Sequence, residues 1–258
     1  MKLKPKQIVL LRVGIDSGCG GLAGPLLQGG RFEFVPIPGD NITGKTYGNS
    51  TGIKTGKPLI SFFPVSMRER RKDQLIHNDP EFRSWTYGDP TQPKQGLKKL
   101  TKGDLLVFYC GLRKNLNTRM ADALYIVGYF VVEAAGTYRE LADEYDEDWI
   151  LSTFAKNHHV IHGDKPERTA IRKNGQKVKT SLVLIKGGVT SRLLAKPIRL
   201  SALVKEKDKG GHDLFVLSPT LKRVFGNFTE KNAIQRSIPR WVNESHIEKA
   251  AKFLERAE

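Results

Sequence analysis

The chain is short of sulfur, with two cysteines and three methionines in 258 residues. Cys19 sits in a glycine-rich turn and Cys110 in an apolar run, so no disulfide framework is possible beyond a single pair, and no Cys-x-x-Cys exists to build a thiolate zinc site. Long hydrophobic runs are also missing. Nothing approaches the ~20 apolar residues that cross a bilayer, and neither a signal-peptide core nor a lipidation motif is found, so no membrane partner and a cytoplasmic location are expected. Acidic charge is scarce beside its counterpart: 27 Asp and Glu against 43 Lys and Arg give a formal net charge of +16. Such a surface attracts polyanions over about a Debye length, ~8 Å at physiological salt. Nucleic acid is the expected partner, although Lys-rich surfaces also serve stability alone. With 39% hydrophobic residues there is material for a large core, and a single domain over residues 1–258 is expected.

Early in the chain an apolar strand runs into a polar, glycine-dense loop carrying Arg12, Asp16 and Ser17. A cation, a carboxylate and a hydroxyl at a strand exit must pair with something or face a cleft. Gly18, Gly20 and Gly21 permit positive φ and close approach of backbone N–H groups to an anion. The same residues also fit a turn in which Asp16 caps its own backbone. Two nucleotide motifs are formally present and fail on context. Gly18-Cys-Gly20-Gly-Leu-Ala23 satisfies G-x-G-x-x-A, but Gly24-Pro25 follows where the phosphate-binding helix should continue. Gly52-Ile-Lys-Thr-Gly56-Lys57-Pro58 has the wrong spacing for a P-loop, and Pro58 stands where Ser or Thr must reach magnesium.

Strands are expected at residues 31–35, 59–65, 105–110, 123–132, 181–185 and 197–200, and helices at 141–156 and 244–256. Residues 39–58 have no periodicity and read as a long surface loop. The segment 77–96 holds three prolines and two glycines, which exclude a regular helix or a central strand. Its Trp85 and Tyr87 either plug the core or offer faces on which bases stack. Arg240 and Trp241, with Arg236, put guanidiniums beside an indole, which fits a nucleic-acid clamp or a Trp that anchors the last helix.

Histidines offer proton chemistry. His77-Asn-Asp79-Pro80 fits a His–carboxylate pair, while Asp-Pro equally initiates a turn. His158, His159 and His162 with Asp164 have spacing suited to one ion, but the segment reads as the end of a helix carrying surface histidines, so neither a metal nor another cofactor is expected.

Two resemblances follow from these residues. The pattern Arg12, Gly14, Asp16, Ser17, Gly20, Gly21, then Gly30-Arg31 and Pro36-Ile37-Pro38, resembles the third class of nucleotide-modification-associated domains. His77-x-Asp79-Pro80, Gly103-Asp104, Phe108, Arg113, Ser191-Arg-Leu-Leu194 and Pro239-Arg240-Trp241 extend it along nearly the whole chain. That family implies a prokaryotic or phage protein linked to DNA base modification. Separately, Lys102-Gly-Asp-Leu-Leu-Val-Phe-Tyr109, residues 125–132 and residues 195–200 are similar to the barrel strands of PUA-like modules such as EVE, ASCH and YTH domains. This implies an α+β fold around a mixed PUA-like β-barrel, its core at about residues 97–204, with flanking helices and long loops. Such barrels hold a flipped, often modified, base in an aromatic pocket.

The expectation is therefore a protein that recognises a modified or extruded base within a DNA-modification or modification-dependent defence system, with DNA rather than RNA as partner and modification enzymes as further partners. Arg12, Arg31 and Arg113 would contact phosphate or the base edge, with Arg240 alongside. Asp16 and Ser17 would read the base, Gly20 and Gly21 would admit it, and Tyr109, Trp85 or Trp241 would stack. The alternative is a glycosylase or hydrolase acting on a modified base or nucleotide, with Asp16 as base or electrostatic stabiliser, His77 as proton donor and Arg12 on a phosphate.

Overall fold

Strands with apolar side chains on both faces require cover on both faces, and this requirement organises the fold. The computed structural model describes residues 2–40, 44–171, 174–207, 213–228, 234 and 238–256. Its strands are β1 (Ile8–Arg12), β2 (Gly24–Pro25), β3 (Ile37–Pro38), β4 (Ile76–His77), β5 (Thr86–Asp89), β6 (Leu105–Arg113), β7 (Ala123–Thr137), β8 (Glu167–Ile171), β9 (Lys177–Ser181), β10 (Val183–Gly187), β11 (Arg192–Arg199), β12 (Ser201–Lys207), β13 (Asp213–Leu217) and β14 (Arg240–Trp241). The helices are α1 (Val65–Arg71), α2 (Tyr138–Glu144), α3 (Glu147–Thr153), α4 (His158–Ile161), α5 (Pro219–Phe225) and α6 (Glu244–Glu255).

One eight-stranded sheet runs β14-β1-β6-β7-β10-β5, with β11 also on β7 and β2 also on β6. β1 is parallel to β6, whereas β6–β7, β7–β10 and β10–β5 are antiparallel. All nine residues of β6 are buried. Alternate residues serve different cores: Ile8, Leu10, Leu105, Val107 and Tyr109 pack under α5 and α6. Val9, Leu11, Leu106, Phe108 and Cys110 pack instead under Phe32, Phe34, Phe82, Tyr87, Leu97 and Leu100.

The α+β class holds, but the PUA-like barrel does not. The expected strands at 105–110 and 123–132 form, yet no sheet among the described residues closes on itself, and β14 and β5 lie at opposite ends of the strand path. Unbroken apolar strands suit any sheet covered on both sides, and here two separate cores supply the cover. The Lys102-Gly103-Asp104 turn has a different task from feeding a barrel strand. Asp104 is fully buried and accepts backbone N–H bonds from Lys6 (3.0 Å), Gln7 (2.8 Å) and Thr101 (2.8 Å), with a further bond from Thr101 Oγ1 (3.0 Å). One carboxylate thus ties the start of β1 to the start of β6.

Local chemistry also broke the expected 141–156 helix. Asp146, at φ 116°, ends the first piece and caps α3 by accepting from Trp149 N at 2.7 Å. Thr137 and Glu140 form a capping box on α2, and Asn157 caps α4 through His159 N at 3.1 Å. Residues 59–65 form a 3-10 turn leading into α1 rather than a strand, and 31–35 pack without joining a sheet. β5 lies at the sheet edge, where a proline-flanked strand is tolerated.

Candidate active site

Backbone geometry at the end of β1 sets its last side chain, the mostly buried Arg12, on the edge of a cleft. Val13 N still bonds to Tyr109 O at 2.9 Å, and Gly14 then turns the chain at φ 72°, where a Cβ would stand 2.9 Å from the Phe34 ring. Arg12 and Asp16 pair across this turn, with Nη2 and Oδ2 3.2 Å apart. Asp16 Oδ1 accepts from Gly18 N at 2.8 Å and Cys19 N at 2.6 Å, so the ion pair and the backbone cap coexist in one carboxylate.

This turn forms one wall of a cleft of about 410 Å³. The other walls come from β3 (Ile37), β4 (His77), Asp79, β5 and its exit (Tyr87 to Thr91), Lys94, α4 (His159) and β8 (Arg168). Gly88 permits the approach of β5 to α4, since a Cβ there would lie 2.9 Å from Asn157 Oδ1 and 3.2 Å from His159 Cδ2. Its N–H donates to Asp79 Oδ2 at 3.0 Å. Asp89 accepts from the Tyr87 hydroxyl at 3.1 Å and pairs with Lys94 at 3.7 Å.

Behind this wall lies a buried histidine–carboxylate cluster. The His77 ring stacks on His158 with centroids 3.6 Å apart and meets His159 edge-on at 4.8 Å. His159 Nε2 faces Asp79 Oδ2 at 3.6 Å, and its Nδ1 contacts Asp164 Oδ2 at 2.6 Å. Asp164 also holds His162 Nδ1 at 3.0 Å and contacts Arg168. Donor atoms of His77, Asp79 and His159 all lie within 4.8 Å of one another, a set able to hold a metal ion.

Burial drives the electrostatics. Burial and the neighbouring imidazoles push the pKa of His77 down to about 3, and the same two causes take His158 to about 4. Burial raises the Asp79 carboxyl well above its ordinary value, opposed by the Gly88 N–H. Burial would also raise Asp164, but hydrogen bonds from His159 and His162 together with Arg168 outweigh it and hold the group well below the usual carboxylate range. At neutral pH His77 is an uncharged imidazole, better suited to accept a proton or a Lewis acid than to donate.

The family model described as nucleotide modification associated domain 3 matches residues 7–255. The chain belongs to that family. No curated protein and no solved structure matches it. The buried His/Asp cluster is therefore a candidate catalytic or binding site in a member of the nucleotide modification associated domain 3 family.

Of the residues named from sequence, Arg12, Asp16 and His77 line the same cleft. Ser17 is exposed and Gly20 and Gly21 half-buried on the adjoining loop; Arg31 is exposed elsewhere. Tyr109 is wholly buried, its hydroxyl donating to Ile234 O at 2.9 Å. Arg113 is wholly buried and donates to Phe62 O at 2.8 Å. Trp85 packs edge-on against Phe82 and Phe130, and Arg240 and Trp241 are half-buried in β14 beside β1. Arg236 lies outside the described residues. Sequence reasoning weighed Tyr87 as a stacking face and His159 with Asp164 as ligands for an ion but read the histidines as a surface helix end, and it gave no role to Asp89 or Lys94. The pairs His77-x-Asp79 and His159-x4-Asp164 were both visible, and only the fold joins them.

Proposed function

We propose that the cleft is an active site and that the protein is an enzyme acting on a modified base or nucleotide, as a glycosylase or hydrolase. The carrying observation is the convergence of Arg12 and Asp16 with His77, Asp79 and His159 on one cavity of about 410 Å³, within the 300–1,000 Å³ range of small-molecule sites. Family membership supports a nucleotide substrate. Arg12, oriented by Asp16, supplies a guanidinium for phosphate or for a base edge. With both Asp16 oxygens engaged, its role is to position Arg12 rather than to take protons. His77 and the Asp79–His159 pair handle protons or a bound nucleophile, and the Tyr87 side of the cleft provides an aromatic wall. The net charge of +16 favours a substrate still attached to DNA and underlies the second reading, a recogniser of modified bases without turnover.

Incubation of the protein with oligonucleotides and nucleotides bearing modified bases, followed by chromatography, decides between them. A new product that disappears with Arg12→Ala and His77→Ala supports the enzyme. Modification-dependent binding without any product refutes catalysis and favours the recogniser.

A further inference from the structure

We infer that His77, Asp79 and His159 form a site for one divalent first-row transition ion of the zinc and ferrous class. One donor atom from each residue lies within 4.8 Å of the other two. His159 Nε2 and Asp79 Oδ2 stand 3.6 Å apart. Two ligands on bonds of about 2.0–2.1 Å at a tetrahedral angle are separated by about 3.4 Å, so this pair already has nearly the required spacing. The widest separation in the set, up to 4.8 Å, must close by about 1.4 Å to complete it, a movement on the scale of small side-chain rotations.

The surroundings are those of a ligand set rather than of an ordinary ion pair. Asp164 sits behind His159, 2.6 Å from Nδ1, and is itself held by His162 and Arg168. A carboxylate in that position fixes the tautomer and orientation of an imidazole and turns its Nε2 lone pair outward. That lone pair points to Asp79, whose side chain is 3% exposed. Asp79 Oδ2 takes the Gly88 N–H, and Oδ1 is buried with no hydrogen-bond partner. A buried carboxyl facing an imidazole lone pair is satisfied either by a proton or by a metal ion between them, and the room for a third donor from His77 favours the ion. Two nitrogens and one carboxylate oxygen select a transition ion over magnesium or calcium, which prefer oxygen sets. Three protein ligands on the wall of a cleft leave coordination positions for water or substrate, the arrangement of catalytic sites.

The ion deepens the reading of the cleft as an active site, because metal-bound water ionises near pH 7. Its presence is measurable without any substrate. The full chain, stripped with a chelator, is titrated with Co2+ and followed by visible absorption, then challenged with Zn2+ and Mg2+. One equivalent of Co2+ is expected, displaced by Zn2+ and indifferent to Mg2+. Asp79→Asn and His159→Gln should weaken binding at least about 100-fold, and Asp164→Asn by about 10–100-fold, as for other outer carboxylates. Circular dichroism checks each fold, and His77→Gln, beside the cleft, serves if a buried variant fails to fold. Absence of Co2+ and Zn2+ binding at sub-millimolar concentration, or equal binding by wild type and folded variants, overturns the site. Metal binding without turnover sinks the enzymatic reading and leaves the site intact. Turnover that survives chelation, in protein that binds neither Co2+ nor Zn2+, does the reverse.

Discussion

Asp104→Ala should destabilise the protein by about 3 kcal/mol. The carboxylate accepts from Lys6 N, Gln7 N, Thr101 N and Thr101 Oγ1 at 2.8–3.0 Å, all from within a fully buried side chain. Hydrogen bonds to a charged acceptor contribute about 1.5–3 kcal/mol each, but Lys6 and Thr101 are exposed, so water recovers much of what their donors lose. The half-buried Gln7 N–H recovers less, and the truncated side chain leaves a small void between the starts of β1 and β6. Asp104→Asn preserves shape yet turns an amide N–H2 toward donors on one side, so a loss of about half that size is expected. Urea unfolding followed by fluorescence measures both. At an m-value of about 2–3 kcal/mol/M the alanine variant shifts the midpoint by roughly 1–1.5 M. A shift below about 0.3 M for Asp104→Ala would show that this carboxylate does not clamp the two strands.

Cysteine labelling probes two environments at once. Burial pushes Cys110 up to about 12, whereas Cys19 is half-buried on the cleft wall and raised by burial and Asp16. Native protein at pH 8 should therefore label slowly at Cys19 and not at Cys110, and Cys19 should be protected when the cleft is filled; fast labelling of both thiols would refute the burial scheme. Arg113→Met should change stability by no more than about 1 kcal/mol in either direction, because the buried guanidinium leaves Nε and Nη1 unpartnered and burial lowers its pKa to about 10. Calorimetry showing a loss above about 3 kcal/mol would mean that the bond to the Phe62 carbonyl outweighs the cost of burying the guanidinium.

Much of the sheet was legible because its strands bury both faces. The apolar runs at 105–110 and 123–132 mark β6 and β7, and the last amphipathic helix was bounded within a residue. Closure was not legible, since apolarity reports burial and carries no information about which strand pairs with which. At the site, Arg12 and Asp16 stood out because a strand exit rarely carries an unpaired cation and acid. His159 and Asp164 were noticed but read as a surface helix end, because an exposed helix end and a buried cleft wall have the same residues until α4 is placed against Gly88. Tyr109 and Arg113 show the opposite error: polar tips on buried strands looked available, whereas carbonyls of Ile234 and Phe62 already occupy them.

The cleft is stitched from stretches around residues 12–19, 77–94 and 159–168. During synthesis the first two leave the ribosome some 65 or more residues ahead of the third, at about 5–20 residues per second, so for several seconds the nascent polypeptide carries Arg12 and His77 with Asp79 still awaiting its imidazole neighbour. The histidine–carboxylate cluster is thus completed late, after most of the central sheet has been made.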